Sequence, residues 1–185
     1  LVGRSHECDF PESVRALPVL SETRLDTGKP GPDLDHDVRS LVRDGLSIYR
    51  IDAERLRALG PDLILTQTHC EVCAAGPKDL EIALQGWLGA SPTVLSLEPA
   101  NLGDVWADFL RIAGALGVAD EGHALAAALA NRLSDVAERA LRQKSRPRIA
   151  CLEWIAPLMA AGNWMPELLT LAGAESVLGT AGQHS

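Results

Sequence analysis

The chain has 185 residues, 46% hydrophobic and 23% charged, with a formal net charge of -8 at pH 7. That balance predicts an ordered globular core and excludes a low-complexity or disordered chain. The acidity argues against non-specific binding to nucleic acid or an anionic membrane face, and no apolar run is long enough to span a bilayer.

Leu1–Ser5 reads as a short strand that gives way to His6, Glu7 and Cys8, and Pro18–Ser21 as a second, poorly defined one. The Gly- and Pro-rich stretch Asp26–Asp33 is a loop. Leu34, Val38, Leu41 and Val42 fall on one face of a helix expected from about Leu34 to Gly45. Ser47–Ile51 alternates as a strand does. Asp52 is placed to cap a short helix, Ala53–Leu59, that stops at Gly60-Pro61. Leu63–Thr66 is the clearest strand, an apolar run that ends in His69-Cys70-Glu71-Val72-Cys73. A helix follows Pro77, with Leu80, Ala83, Leu84, Trp87 and Leu88 inward, and Thr93–Leu97 is a further strand. Strand and helix therefore alternate over residues 1–100, which predicts a parallel sheet with helices on its faces.

The pattern then changes. Val105, Phe109, Ile112 and Leu116 repeat at helical spacing within 102–118, and Leu125, Leu129, Leu133, Val136 and Leu141 do so within 121–144. Asn101 or Asp104 can cap the first of these helices, and Gly117 marks its end. Strand-helix alternation resumes with Arg148–Trp154, a helix over Asn163–Gly173 with Pro166 in its first turn, and the short apolar segment Ser176–Leu178. The division expected is an N-terminal α/β lobe over 1–102, a helical linker over 103–145 and the start of a C-terminal α/β lobe over 146–185. The chain begins at Leu1 rather than Met and stops inside the second lobe, so it reads as a fragment of something longer. Its localisation stays open: periplasmic or membrane-anchored with an upstream signal, cytoplasmic without one.

Three polar clusters sit at strand ends, where open α/β sheets bind ligands: His6-Glu7-Cys8, His69 to Cys73, and Glu153-Trp154. Cys70-x-x-Cys73 between a strand and a helix is the placement used by thiol oxidoreductases, although Glu71 between the two opposes a lowered thiol pKa. The same residues offer soft metal ligands, with His6, His69, Cys70 and Cys73 as the candidate set. A third reading is that the two Cys simply pack beneath the loop. After Glu153-Trp154 come Met159, Asn163 and Trp164, which suit a large, flat, partly apolar ligand, or pack the loop against its helix. Trp87 and Trp106 lie on apolar helix faces and read as core, while His36 and His123 read as surface residues. No Gly-rich phosphate loop, nucleophile elbow or zinc-protease helix is present, so the residues give no positive evidence of an enzyme.

The strings RSHECDFP (4–11), PDLILTQTHCEVCA (61–74), CLEWIAPLMAAGNWMPELLTLAG (151–173) and GQHS (182–185) resemble the cobalamin-binding substrate-binding proteins of ABC importers, within the helical-backbone class of periplasmic binding proteins. The resemblance implies an α/β fold of two Rossmann-like lobes joined by a long helical segment, the second lobe incomplete here, with a ligand held in the cleft between them. It implies cobalamin or a related corrinoid as the ligand rather than as a catalytic cofactor, the membrane subunits of an ABC importer as partner, and no nucleic acid. The ligand-binding residues it implies are His6, Glu7, Cys8, His69, Cys70, Glu153, Trp154, Asn163, Trp164 and His184. Asp79 or Glu81 would dock the transporter. The single long helix of that class is interrupted in this sequence at Gly117–Asp120. Two alternatives remain: a binding protein for a metal or metal chelate such as a siderophore or haem, and a thiol oxidoreductase using Cys70 and Cys73.

Overall fold

A computed structural model describes residues 1–44, 46–68, 77–87 and 91–185. Its contacts divide the chain into two compact units, Leu1–Leu97 and Glu98–Ser185.

The first unit begins with a single bridge rather than a strand. Arg4 pairs in parallel with Val19, its N–H donating to Pro18 O and its C=O accepting from Leu20 N–H. The expected strand over residues 1–5 stops there because the chain turns at once. Cys8 N–H donates to Ser5 O, and the Arg4 guanidinium gathers the carbonyls that follow. Strand β1 (Ser21–Thr23) pairs with β2 (Tyr49–Ile51). Between them lies helix α1 (Gly31–Arg43), which starts three residues earlier than the apolar spacing implied because Pro30 and Pro32 suit a first helical turn.

Helix α2 (Ala53–Leu59) forms as the sequence dictates. The Asp52 carboxylate accepts from Arg55 N–H at 2.9 Å, and Gly60, at φ 52°, closes the helix in the left-handed conformation that glycine adopts without strain. Strands β3 (Leu63–Gln67) and β4 (Thr93–Leu97) form a parallel ladder, Leu63 opposite Thr93 through Gln67 opposite Leu97. Helix α3 (Pro77–Leu84) lies between them in sequence. Leu56, Leu80 and Ala83 are buried, and Leu20, Ile51, Ile64 and Trp87 pack against them. Burying a residue such as Leu56 contributes about 2 kcal/mol. The single parallel sheet expected is thus replaced by separate two-stranded pairs: β3–β4 is parallel, whereas β1–β2 is antiparallel. Strand alternation in a sequence carries burial, not direction, and direction depends on how the intervening segment returns.

In the second unit, Asn101 and Asp104 form a reciprocal capping box at the start of α4 (Leu102–Ala115). Gly117, at φ 72°, turns the chain into α5 (Ala119–Leu141). The expected helical segment is therefore two helices, both within the second unit, the second of 23 residues and about 35 Å long. They approach closely, because a Cβ on Gly122 would lie 2.2 Å from Ala113 Cβ.

The expected strand Arg148–Trp154 is split. Its first part, β5 (Arg148–Ile149), pairs in parallel with the last strand of the unit, Glu175–Ser176. Its second part, β6 (Leu152–Trp154), forms a hairpin with β7 (Met159–Ala160), whose Ala161 N–H donates to Cys151 O. One apolar run serves two partners, and the residues between, Ala150 and Cys151, take the bend. Helix α6 (Met165–Leu171) follows, with Pro166 in its first turn, then β8 (Glu175–Ser176). Gly173, at φ 84°, ends α6 against Ala140 of α5. Among the described residues no helix is long and apolar enough to cross a membrane.

Candidate functional site

The first unit builds its polar cluster on the loop after Arg4. Arg4 Nη1 donates to the carbonyl oxygens of Ser5 (3.1 Å), His6 (3.4 Å) and Cys8 (2.9 Å) and so draws the loop into a fixed turn. His6 lies against β1 and β2. Its ring centroid is 5.6 Å from that of Tyr49, and its Nδ1 lies 2.9 Å from Ser21 Oγ. Ser21 is the hub of this cluster. Ser21 Oγ donates to Ser5 Oγ at 3.1 Å and accepts from the His6 backbone N–H at 3.2 Å. Nδ1 and Ser21 Oγ therefore share a hydrogen bond that holds the ring against β1. The other ring nitrogen, Nε2, lies 4.0 Å from Glu7 Oε1, with 24% of the side chain exposed. Burial, reinforced by the charge of Glu7 and a hydrogen bond to it, holds the Tyr49 phenol above its ordinary pKa. Glu7 and Cys8 are exposed, as is Phe10.

His69, Cys70 and Cys73, the centre of the dithiol and metal readings, lie outside the described residues. The structure does place their approach: β3 ends at Gln67, and Thr68 N–H donates to Leu97 O. The segment therefore leaves from the C-terminal edge of the parallel pair. A cavity of about 590 Å³ lies at the opposite edge, where β3 and β4 begin, lined by Arg57, Asp62, Trp87 and Pro92. Among the described residues no three His, Cys, Asp or Glu side chains are grouped to hold a metal, and Cys8 and Cys151 are free thiols. On α3, Asp79 accepts from Ser47 Oγ at 2.7 Å and is half-buried, whereas Glu81 is exposed.

In the second unit the β6–β7 hairpin carries Glu153 and Trp154. Trp154 Nε1–H donates to Ala156 O at 2.8 Å, which folds the indole over the turn. Ile155 and Leu158 at the tip are 81% and 64% exposed. The segment Gly182–Ser185 lies back on the next loop. Gln183 O accepts from Asn163 N–H at 2.7 Å, Asn163 O accepts from Gly182 N–H, and Ser185 Oγ donates to Glu153. Gly162 makes this approach possible, since a Cβ there would come within 2.3 Å of Gln183 O. Asn163 adopts a left-handed conformation (φ 55°), and its Oδ1 is buried without a hydrogen-bond partner. Glu153, Asn163 and the segment bearing His184 are thus brought together, with His184 itself exposed.

Trp164 goes elsewhere. It faces a groove of about 820 Å³ among α4, α5 and α6, lined also by Trp106, Leu133, Val136 and Leu168. Glu167 of α6 caps that arrangement by accepting from Leu102 N–H at 3.1 Å. Sequence reading missed Ser21, Tyr49 and Glu167. Ser21 and Tyr49 sit in no motif, Glu167 lies within the string 151–173 without standing out there, and only tertiary pairing gives each its role.

No family model and no curated protein matches the chain. Solved structures do. The apo periplasmic heme-binding protein RhuT of Roseiflexus sp. RS-1 superposes with a TM-score of 0.63 at 21% identity, covering 94% of this chain and 56% of that one. A periplasmic heme-binding protein of Pseudomonas aeruginosa gives 0.65 at 20% identity over 100% of this chain and 57% of its own. The periplasmic vitamin B12-binding protein BtuF of Vibrio cholerae gives 0.61 at 17% identity over 97% and 58%. The fold is that of the helical-backbone periplasmic binding proteins, and the chain spans little more than half the length of the structures it matches.

Proposed function

We propose that this chain is part of a substrate-binding protein that captures a metal-bearing tetrapyrrole-type macrocycle, haem or a corrinoid, for an ABC importer. The reading is supported by the fold, whose solved examples include proteins named for heme and for vitamin B12. The observation that carries it to this chain is His6. Its Nδ1 is held on Ser21 Oγ, its side chain is partly exposed, and the loop is drawn into a turn by Arg4. A ligating imidazole is held in this way, through its other ring nitrogen. In the second unit, the exposed apolar tip Ile155–Leu158 suits a wide ring face, and Glu153 and Asn163 suit its rim. Cys8 and Trp154 join the candidate set from sequence, as neighbours of Glu7 and Glu153. His69 and Cys70 join the candidate set from sequence, and Glu81, exposed on α3, is the better placed of the two acids for docking to a transporter.

The test is titration of the full-length protein with haemin and, separately, aquocobalamin, followed by visible absorbance and Trp fluorescence. Saturable one-to-one binding of either macrocycle, weakened in the His6→Ala variant, is expected. No spectral change with either ligand would overturn the reading.

A further inference from the structure

Helix α5 runs out into a strongly basic stretch. Residues 139–148 carry Arg139, Arg142, Lys144, Arg146 and Arg148 and no acid, in a chain whose formal net charge is -8. All five are exposed. A helix C-terminus favours cations only within its last turn, which accounts for Arg139 and Arg142 but not for Lys144 and Arg146 beyond it. Arg148 lies 3.7 Å from Glu175 Oε1, and Arg139 Nε donates to the backbone carbonyl of Asp135. Arg142, Lys144 and Arg146 form no ion pair among the described residues. The same stretch borders the groove among α4, α5 and α6. Arg139 and Arg142 line it together with Trp106, Trp164, Leu133 and Val136, and those four apolar side chains are half-buried. Asp135 and Glu138 also line it, so the groove is mixed in charge along α5 and purely basic only from Arg139 onward.

We propose that the groove and the basic stretch together dock an acidic amphipathic helix of a partner protein. Its apolar face lies against Trp106 and Trp164, and its acidic residues meet Arg142, Lys144 and Arg146. The surface lies wholly within the second unit and does not depend on the macrocycle reading. Charge complementarity selects the partner: a basic segment would meet three unpaired cations, whereas an acidic one pairs with them. The shape selects a helix. A flat bilayer reaches only protruding groups, and the Trp side chains here sit half-buried in a concave floor. A nucleic acid would meet the cations and leave the apolar floor uncovered. A helix fills such a groove with side chains spaced i, i+3, i+4 and i+7. From Arg132 to Arg142 the wall formed by α5 is about 15 Å long, or about three turns. Asp135 and Glu138 set the direction, because like charge there keeps the acidic end of the partner helix on the Arg139 side.

The experiment titrates full-length protein with a Trp-free peptide of about 14 residues, or about four turns. The peptide carries Leu at i, i+3, i+4 and i+7 and Glu at one end. Binding is read from Trp fluorescence, since two of the four Trp line the groove. Saturable binding that weakens with added salt is expected, about tenfold weaker in the Arg142→Glu/Lys144→Glu variant. The charge-preserving exchange Arg142→Lys/Lys144→Arg should bind as the parent does. No binding would overturn the proposal, as would equal binding of a scrambled peptide or of one with Lys in place of Glu. Binding of phosphatidylglycerol vesicles in place of the peptide would assign the patch to a membrane. A dimer in sedimentation that the charge reversal dissociates would assign it to a second copy of the chain. Either result would also overturn the proposal.

Discussion

Replacing Gly122 with Ala tests how closely α4 and α5 pack. The new Cβ would sit 2.2 Å from Ala113 Cβ and 3.7 Å from Phe109 O. Carbon atoms in contact rest at about 3.5–4.0 Å, so α4 and α5 would have to part by more than an ångström at this turn. Neither Cβ can rotate aside, because both are fixed to helical backbone. The connection Leu116–Val118 is too short to absorb the movement. Overpacking of this kind costs about 3 kcal/mol at the upper end of its usual range. Ala is a better helix former than Gly by about 1 kcal/mol, which offsets part of that. The net loss is about 2 kcal/mol, or a fall in Tm of about 4–8 °C for a chain of this length. Thermal unfolding followed by far-ultraviolet circular dichroism measures it. Ala113→Gly on the same background removes the colliding atom and should return most of the loss, a coupling that a double-mutant cycle isolates. A Gly122→Ala protein as stable as the parent, or more so, would show that helix propensity outweighs packing there and would refute the close crossing.

The other predictions concern the His6 cluster. Tyr49 is the only tyrosine in the chain, so its ionisation can be read directly from tyrosinate absorbance. Its phenol is held above the ordinary value of 10.0, first by burial and then by Glu7, so the folded state favours the protonated form. The resulting stabilisation is complete below about pH 10 and is lost as pH rises from there through the higher folded value; Tyr49→Phe should flatten that alkaline loss. A native protein whose tyrosine titrates at the ordinary value would remove the effect. Ser21→Ala deletes the hydrogen-bond partner of His6 Nδ1, so nitrogen NMR should show a changed balance of ring tautomers. Affinity for aquocobalamin should fall about tenfold, as when outer partners of ligating histidines are removed. An unchanged tautomer in the variant would mean that Ser21 does not set it.

Much of the local structure was legible because its causes lie within a few residues. Asp52 reaches only to Arg55 N–H, and Asn101 and Asp104 cap each other within one turn. Gly60 and Gly117 stop helices by a backbone conformation that needs no distant partner. The parallel pair β3–β4 followed from two apolar runs separated by a helix. The candidate loops were legible as clusters of His, Cys, Glu and Trp, but their internal arrangement was not. Asp79 reads as an available surface acid, yet it holds Ser47, thirty-two residues away. Trp164 reads as a partner of Trp154, yet helix packing turns it to the groove beside Trp106.

The sequence by itself determined where helices start and stop, which faces are apolar and how the loop residues are charged, because those properties are set by near neighbours and composition. Only the tertiary structure decided that β1 runs antiparallel to β2, that one apolar run divides into β5 and β6, and that His6 Nδ1 meets Ser21. Each of these depends on a partner far along the chain, and the pairing of distant segments is fixed by which packing buries most apolar surface while leaving fewest polar groups unpaired.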